Sequence, residues 1–227
     1  FGARIDFAGV ACHGIGNVAA ADIAQAAALG FRIKLVGLAE AENGELFQRV
    51  HPALVPIDHP IATTMGSLNA VVVEGDFVGR VMMEGRGAGE GPTASAVVAD
   101  VIDIARGRFT PVWGAEAAAL TPEPSFPMDR HTGAYYLRLM VVDRPGVIAD
   151  VTGVLRDHAI SLESMLQRGR APGEAVPVVL TTHETSDRNW ETTPRPHARP
   201  RSCRAARLRR LLRGCGLLVY WRSCLLG

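Results

Sequence analysis

The chain has 227 residues, 48% of them hydrophobic, which is enough for one or two domains with real cores. Its formal net charge of +1 gives no global reason to expect nucleic acid or an anionic membrane as partner. Apolar runs such as Cys215 to Trp221 are far too short to span a bilayer.

The cysteines form no disulfide framework, because Cys12 stands alone in the body while Cys203, Cys215 and Cys224 crowd into the tail. A reducing cytoplasm is therefore the default location. Residue 1 is Phe and no charged segment precedes an apolar one, so the start reads as a cut inside a longer chain rather than a signal peptide. Of the 24 basic residues only Lys34 is a lysine, a composition that suggests a GC-rich genome.

Residues 1–112 read as mixed α and β. The Ala-rich stretch Asp22–Leu29 predicts a helix, stopped by Gly30. Phe31–Leu38 and Leu46–Val55 predict strands that reverse through Glu42-Asn43-Gly44. Leu68–Gly75 and Val78–Gly85 predict two more, joined at Gly75-Asp76. Pro92 then opens a helix whose stripe of Val97, Val98, Val101, Ile102 and Ala105 is expected to be buried, and Gly107 ends it. Four apolar strands with few covering helices suggest a sheet that mediates a homodimer.

Residues 113–134 carry Pro122, Pro124 and Pro127 and read as a linker. Periodicity returns over 135–185. A strand at Tyr135–Val142 leads through Asp143-Arg-Pro-Gly to a helix at Val147–His158, then strands at Ile160–Gln167 and Val176–Thr182. Residues 186–227 hold ten Arg, three Cys and two Trp against two acids, and read as an out-of-frame or disordered tail rather than a basic binding arm. The fold class is therefore α+β: a mixed sheet with covering helices, followed by a partial β-α-β-β module. If the last helix and strand of that module are missing, part of the face formed by Leu137, Leu139, Ile160 and Leu162 should stay exposed beside an unpaired edge.

Several residues invite chemistry. Gly85, Gly87 and Gly89 precede a helix, where free N–H groups and close backbone approach suit an anionic ligand. The same spacing also fits a plain turn, and no Gly-Lys-Ser/Thr follows to make a Walker loop. His51 reads as a structural histidine at a strand bend before Pro52, since no carboxylate or nucleophile is placed beside it by sequence. Cys12 and His13 lack a second spaced pair for zinc, so no metal site is expected.

Three ordered stretches resemble homoserine dehydrogenase. They are Gly14-Ile15 with Ala20-Ala-Asp-Ile and Leu29-Gly-Phe-Arg-Ile-Lys-Leu-Val-Gly; Arg49-Val-His-Pro-Ala-Leu-Val-Pro with Leu68-Asn-Ala-Val and Val73-Glu-Gly-Asp; and Gly85-Arg-Gly-Ala-Gly-Glu-Gly-Pro-Thr-Ala-Ser-Ala-Val. Tyr135–Gln167, with Asp143-Arg-Pro-Gly-Val, resembles a ferredoxin-like ACT regulatory domain. The family departs from this chain at His13, where an acidic residue is expected, and at Ala19, where a Thr is. Losing that hydroxyl should weaken the helix N-cap by roughly 1 kcal/mol.

The resemblance implies interconversion of aspartate semialdehyde and homoserine with NAD or NADP, on the route to threonine and methionine. It implies that Gly89, with Gly87 beside it, touches the nicotinamide cofactor. It also implies that the dinucleotide-binding domain and the catalytic lysine lie upstream of Phe1, so that no catalytic residue is expected here and the chain should be inactive alone. The ACT likeness implies an amino-acid effector, threonine by the family's logic. Backbone N–H groups at Gly146, Val147 and Ile148 would take its carboxylate and Asp143 its ammonium. On the residues alone, that loop reads equally well as a cap and turn. The alternative to an enzyme is a non-enzymatic amino-acid-sensing or oligomerisation module.

Overall fold

In the computed structural model the described residues are 1–111, 113–127, 130–167, 169, 171–192 and 218–222. In chain order they form β1 (Ala11–Cys12), α1 (Ala20–Ala28), β2 (Phe31–Glu42), β3 (Glu45–Pro56), α2 (Pro60–Thr63), β4 (Leu68–Gly75), β5 (Gly79–Arg86) and α3 (Glu90–Ala105). They continue with β6 (Thr132–Val142), α4 (Val147–Asp157), β7 (Leu162–Gln167), β8 (Ala175–Thr182), β9 (Thr185–Ser186), α5 (Asp187–Thr192) and β10 (Leu218–Arg222). These elements belong to two compact units that interleave along the chain. A hairpin unit comprises Phe1–Ala8 and Pro56–Pro124, and a sheet unit comprises Gly9–Val55 and Ser125–Gly227.

In the hairpin unit, β4 and β5 pair antiparallel in the register Leu68↔Arg86 through Gly75↔Gly79. Gly79 sits at φ +68, a backbone conformation that glycine adopts without strain. A cross-strand ion pair joins Arg80 Nε to Glu74 at 2.5 Å, and Thr64 donates to Glu84 at 2.8 Å. The segment before Pro124 is tied to the N-terminus by Arg4 N→Thr121 O at 2.7 Å and Thr121 N→Gly2 O at 3.1 Å.

The expectation of a buried stripe on α3 is not met. No residue of α3 is buried, and Val97, Val98, Val101 and Ile102 are 57%, 54%, 58% and 40% exposed. The 3.6-residue period marks a face built to be covered, but it does not say by what. Among the described residues of this unit nothing covers it. The hairpin itself is open on one face, where Val71, Val73, Val81 and Met83 alternate outward without a charged side chain among them.

The sheet unit holds the remaining strands in the order β1-β3-β10-β6-β8-β7, with β2 paired to β3. The turn between β2 and β3 places Asn43 at φ +51 and Gly44 at φ +76, the paired left-handed conformations of a tight hairpin. The β10-β6-β8-β7 order with α4 is the ferredoxin-like arrangement. Where sequence reasoning stopped at β-α-β-β, the structure adds α5 and β10, with β10 antiparallel to β6 from Leu218↔Arg138 to Arg222↔Ala134. Leu218-Val-Tyr-Trp is itself an apolar, β-prone run, and β6 offers it an edge. The rest of the tail, 193–217 and 223–227, lies outside the described residues.

The module's core is the cluster of Tyr135, Leu137, Leu139, Val141, Val176, Val178 and Leu180 under Val147, Val151 and Leu155 of α4. Leu137, Leu139 and Ile160 are 3%, 5% and 5% exposed and Leu162 is partly buried, so with β10 paired to β6 this face is largely covered. The α4 stripe covers it directly. The opposite face of the same sheet is also covered. Ala26, Leu54, Tyr136 and Val179 form a second cluster with Val18, Leu29, Phe31, Ile33 and Leu166 against it. Alternation along β6 sends Tyr135 and Leu137 one way and Tyr136 and Arg138 the other.

Candidate functional site

The glycine loop lies in the hairpin unit, between β5 and α3. Gly89 is the N-cap of α3 with φ +119 and ψ 154, a conformation essentially closed to side-chain-bearing residues. Its carbonyl accepts the first helical bond, from Thr93 N at 3.1 Å. The need for glycine there is therefore first a backbone requirement, whatever ligand comes near. Gly87 is different. A Cβ there would fall 2.2 Å from Nδ2 of Asn69, whose carboxamide fills that space from the neighbouring strand. Beside Gly85 and Gly91 there is open space. The arrangement suits a planar or anionic group approaching the backbone at the start of a 16-residue helix.

The β6–α4 loop lies in the sheet unit. Asp143 is half-buried and staples the loop before β8: its Oδ2 accepts from Ala171 N at 2.9 Å, its N–H donates to Glu174 O at 2.8 Å, and its carbonyl accepts from Gly173 N at 3.0 Å. Gly146 caps α4 at φ +89, and glycine is required there for the turn into the helix. Val147 is 2% exposed in the core, and Ile148 packs against the same cluster. Of the four residues singled out, Val147 and Ile148 thus have no side-chain group to offer a ligand, and the Val147 N–H already donates to Arg144 O at 3.5 Å. Asp143 already spends one carboxylate oxygen on a loop amide.

Two buried polar clusters in the sheet unit escaped sequence reasoning. One surrounds Asp22, a fully buried carboxylate in the first turn of α1. It accepts from Ala19 N at 2.9 Å, Tyr136 Oη at 3.1 Å, Arg138 Nε at 2.6 Å and Arg138 Nη2 at 3.3 Å. The bond to Ala19 N is one half of a capping box; Ala19 has no hydroxyl to supply the other.

The second cluster joins β3, β6 and α5. Tyr135 Oη donates to Asp187, Arg49 Nη1 lies 3.7 Å from Asp187, His131 Nδ1 lies 3.8 Å away, and His131 stacks on Phe47 with ring centroids 4.5 Å apart. His51, 1% exposed within β3, has its pKa pushed down to about 3, chiefly by burial and then by the charges of Arg49, His13 and His131. It stays neutral at neutral pH, in keeping with a structural role. Neither cluster had a signal in local spacing, since each is assembled from residues far apart in the chain. No group of three or more His, Cys, Asp or Glu among the described residues could hold a metal ion, and no described helix is long and apolar enough to cross a membrane.

Comparison with known proteins adds the following. Residues 1–102 match the family profile of homoserine dehydrogenase, and residues 135–189 match that of the ACT domain. Homoserine dehydrogenase of Pseudomonas aeruginosa is 39% identical over 190 residues, covering 81% of this chain and 44% of the relative. That of Synechocystis sp. is 42% identical over 203 residues, covering 84% of this chain and 46% of the relative. The crystal structure of a homoserine dehydrogenase from Thiobacillus denitrificans superposes with a TM-score of 0.79 at 35% identity, over 98% of this chain and 49% of that one. The chain therefore spans about half the length of the relatives it matches.

Proposed function

Residues 1–102 belong to the homoserine dehydrogenase family and residues 135–189 to the ACT family, and from this premise we propose that the chain forms the substrate and dimerisation part, with the ACT regulatory domain, of an enzyme that interconverts aspartate semialdehyde and homoserine. The observation that carries the reading is the likeness to the Thiobacillus enzyme, at a TM-score of 0.79 and 35% identity over nearly the whole chain.

When bound, NADH or NADPH would supply the hydride for reduction of the aldehyde, and NAD or NADP would accept it in the oxidation of homoserine. The residues at the start of α3 fit a nicotinamide cofactor at Gly87 and Gly89: open space lies beside the neighbouring Gly85 and Gly91, and the helix N-terminus favours its negative charge. Their task is to hold and orient the cofactor. No catalytic residue is assigned in this chain.

The open face of the β4–β5 hairpin, wholly apolar at Val71, Val73, Val81 and Met83, supports a homodimer formed through this sheet. The β6–α4 loop supports an amino-acid effector site at Asp143, Gly146, Val147 and Ile148, with threonine as the candidate ligand, and the cytoplasm is the compartment that fits such a biosynthetic role.

The test is to join a homologous dinucleotide-binding domain in frame to residues 1–227 and to follow homoserine-dependent reduction of NAD and NADP. Turnover in the joined protein, and none from residues 1–227 alone, is the expected result. A joined protein that folds and binds the dinucleotide but does not turn over homoserine would overturn the assignment.

A further inference from the structure

The fully buried carboxylate of Asp22 does more than cap α1. It is the one acidic side chain of that helix, and it reaches across to β6, which is 116 residues away at Arg138. The contact is strong by any geometric measure. The guanidinium offers both Nε at 2.6 Å and Nη2 at 3.3 Å to the two carboxylate oxygens, and the Tyr136 hydroxyl adds a third bond at 3.1 Å. Around it, Ala26 of α1 and Leu54 of β3 pack on Tyr136 and Val179. The face of the sheet turned away from α4 is therefore occupied by α1, and a charged pair pins it there.

We propose that the Asp22–Arg138 bridge couples α1 to the ACT sheet, so that the helix and strand β6 open and close as one cooperative unit. The physical reason is that the contacts are lost together: lifting α1 off the sheet breaks the two bonds from Arg138 and the one from Tyr136 to Asp22 and uncovers Ala26, Leu54, Tyr136 and Val179 in the same event. Local opening of α1 alone is therefore strongly disfavoured, and α1 leaves the sheet only when the sheet itself opens. Arg138 lies five residues before Asp143, the first residue after β6, about 17 Å away at the rise of an extended chain. If the β6–α4 loop is the effector site, as read above, an amino acid that settles there stabilises β6, and through Arg138 the stabilisation extends to α1. That regulatory consequence rests on the effector reading; the coupling itself does not.

Native-state hydrogen exchange on the full chain tests the coupling without any ligand. In the unsubstituted protein the amides of Ile23–Ala28 should exchange with the same opening free energy and the same denaturant dependence as those of Leu137–Val141. In Arg138→Gln the α1 amides should exchange on the order of 100-fold faster while those of β7 and β8 hold, and Arg138→Lys should recover part of the difference. Exchange of α1 faster than β6 in the unsubstituted protein would overturn the proposal, and so would Arg138→Gln accelerating α1, β7 and β8 alike. Should Arg138→Gln not fold, the comparison within the unsubstituted protein decides. Adding threonine is a separate arm: no protection at Asp143–Ile148 would sink the effector reading and leave the coupling result standing.

Discussion

Acidification should weaken this protein through one buried histidine. His51 is 1% exposed within β3, and its pKa is held at about 3 in the folded chain against 6.5 when unfolded. The unfolded chain therefore binds a proton between these values that the folded one refuses. The sign follows directly: stability from this group is full above pH 6.5 and is lost as pH falls towards 3. Each pH unit in the middle of that window removes about 1.4 kcal/mol, so roughly 2 kcal/mol is gone by pH 5 and about 4 kcal/mol by pH 3. Urea unfolding followed by circular dichroism at a series of pH values measures the slope. His51→Gln removes the titrating group and keeps a polar side chain. Its absolute stability will differ, but its slope should be shallower than the unsubstituted chain's by about 1.4 kcal/mol per unit between pH 6 and 4. Parallel curves across that range would refute the argument, because a buried histidine that accepts a proton at its ordinary pKa cannot be desolvated as the structure places it.

Three further substitutions probe other features. Gly87→Ala has no backbone penalty of the Gly89 kind and displaces only the exposed end of Asn69, so stability should change by about 0.5 kcal/mol or less. In the joined enzyme it should nonetheless weaken dinucleotide binding measured by calorimetry, whereas Gly89→Ala, at φ +119, should cost about 1–3 kcal/mol of stability as well. An unchanged dissociation constant in Gly87→Ala would remove this loop from the cofactor site. Val73→Glu places a charge on the open apolar face of the hairpin and should weaken dimerisation by on the order of 100-fold in light scattering; a dimer that survives it forms elsewhere. Ala19→Thr restores the missing half of the α1 cap at a residue already extended, with φ −96 and ψ 158. It should add about 1 kcal/mol, a rise in Tm of roughly 2–4 °C, and a lowered Tm would show that the site does not admit the hydroxyl.

Where structure is decided by neighbours in the chain, the sequence was a good guide. Asn43-Gly44 announces its hairpin, Gly75 to Gly79 announces the next, and the spacing of Val147, Val151 and Leu155 announces α4 and the face it buries. The same kind of signal misled at α3, where the apolar period is real but its cover is absent among the described residues of its unit. The glycine loop was legible as a strand-to-helix turn, yet periodicity could not separate the backbone demand at Gly89 from the side-chain packing at Gly87. The buried clusters were illegible. Asp22 reads as an ordinary first-turn acid, and only the fold brings it to Arg138. Likewise Arg49, Tyr135 and Asp187 come from three separate elements, and no spacing rule joins them.

The interleaving of the two units sets an order of assembly. The hairpin unit's strands are neighbours in sequence, and β4 can meet β5 as soon as both have left the ribosome. The sheet unit must wait: α1, β2 and β3 are synthesised early, yet the strand whose Arg138 donates to Asp22 follows the hairpin in sequence, and β3 pairs with β10, later still. Until then Phe31, Ile33 and Leu54 have no sheet to pack on. Folding of this part is therefore dominated by distant contacts and should be slow, with an early apolar hairpin left open to aggregation or to chaperones during translation.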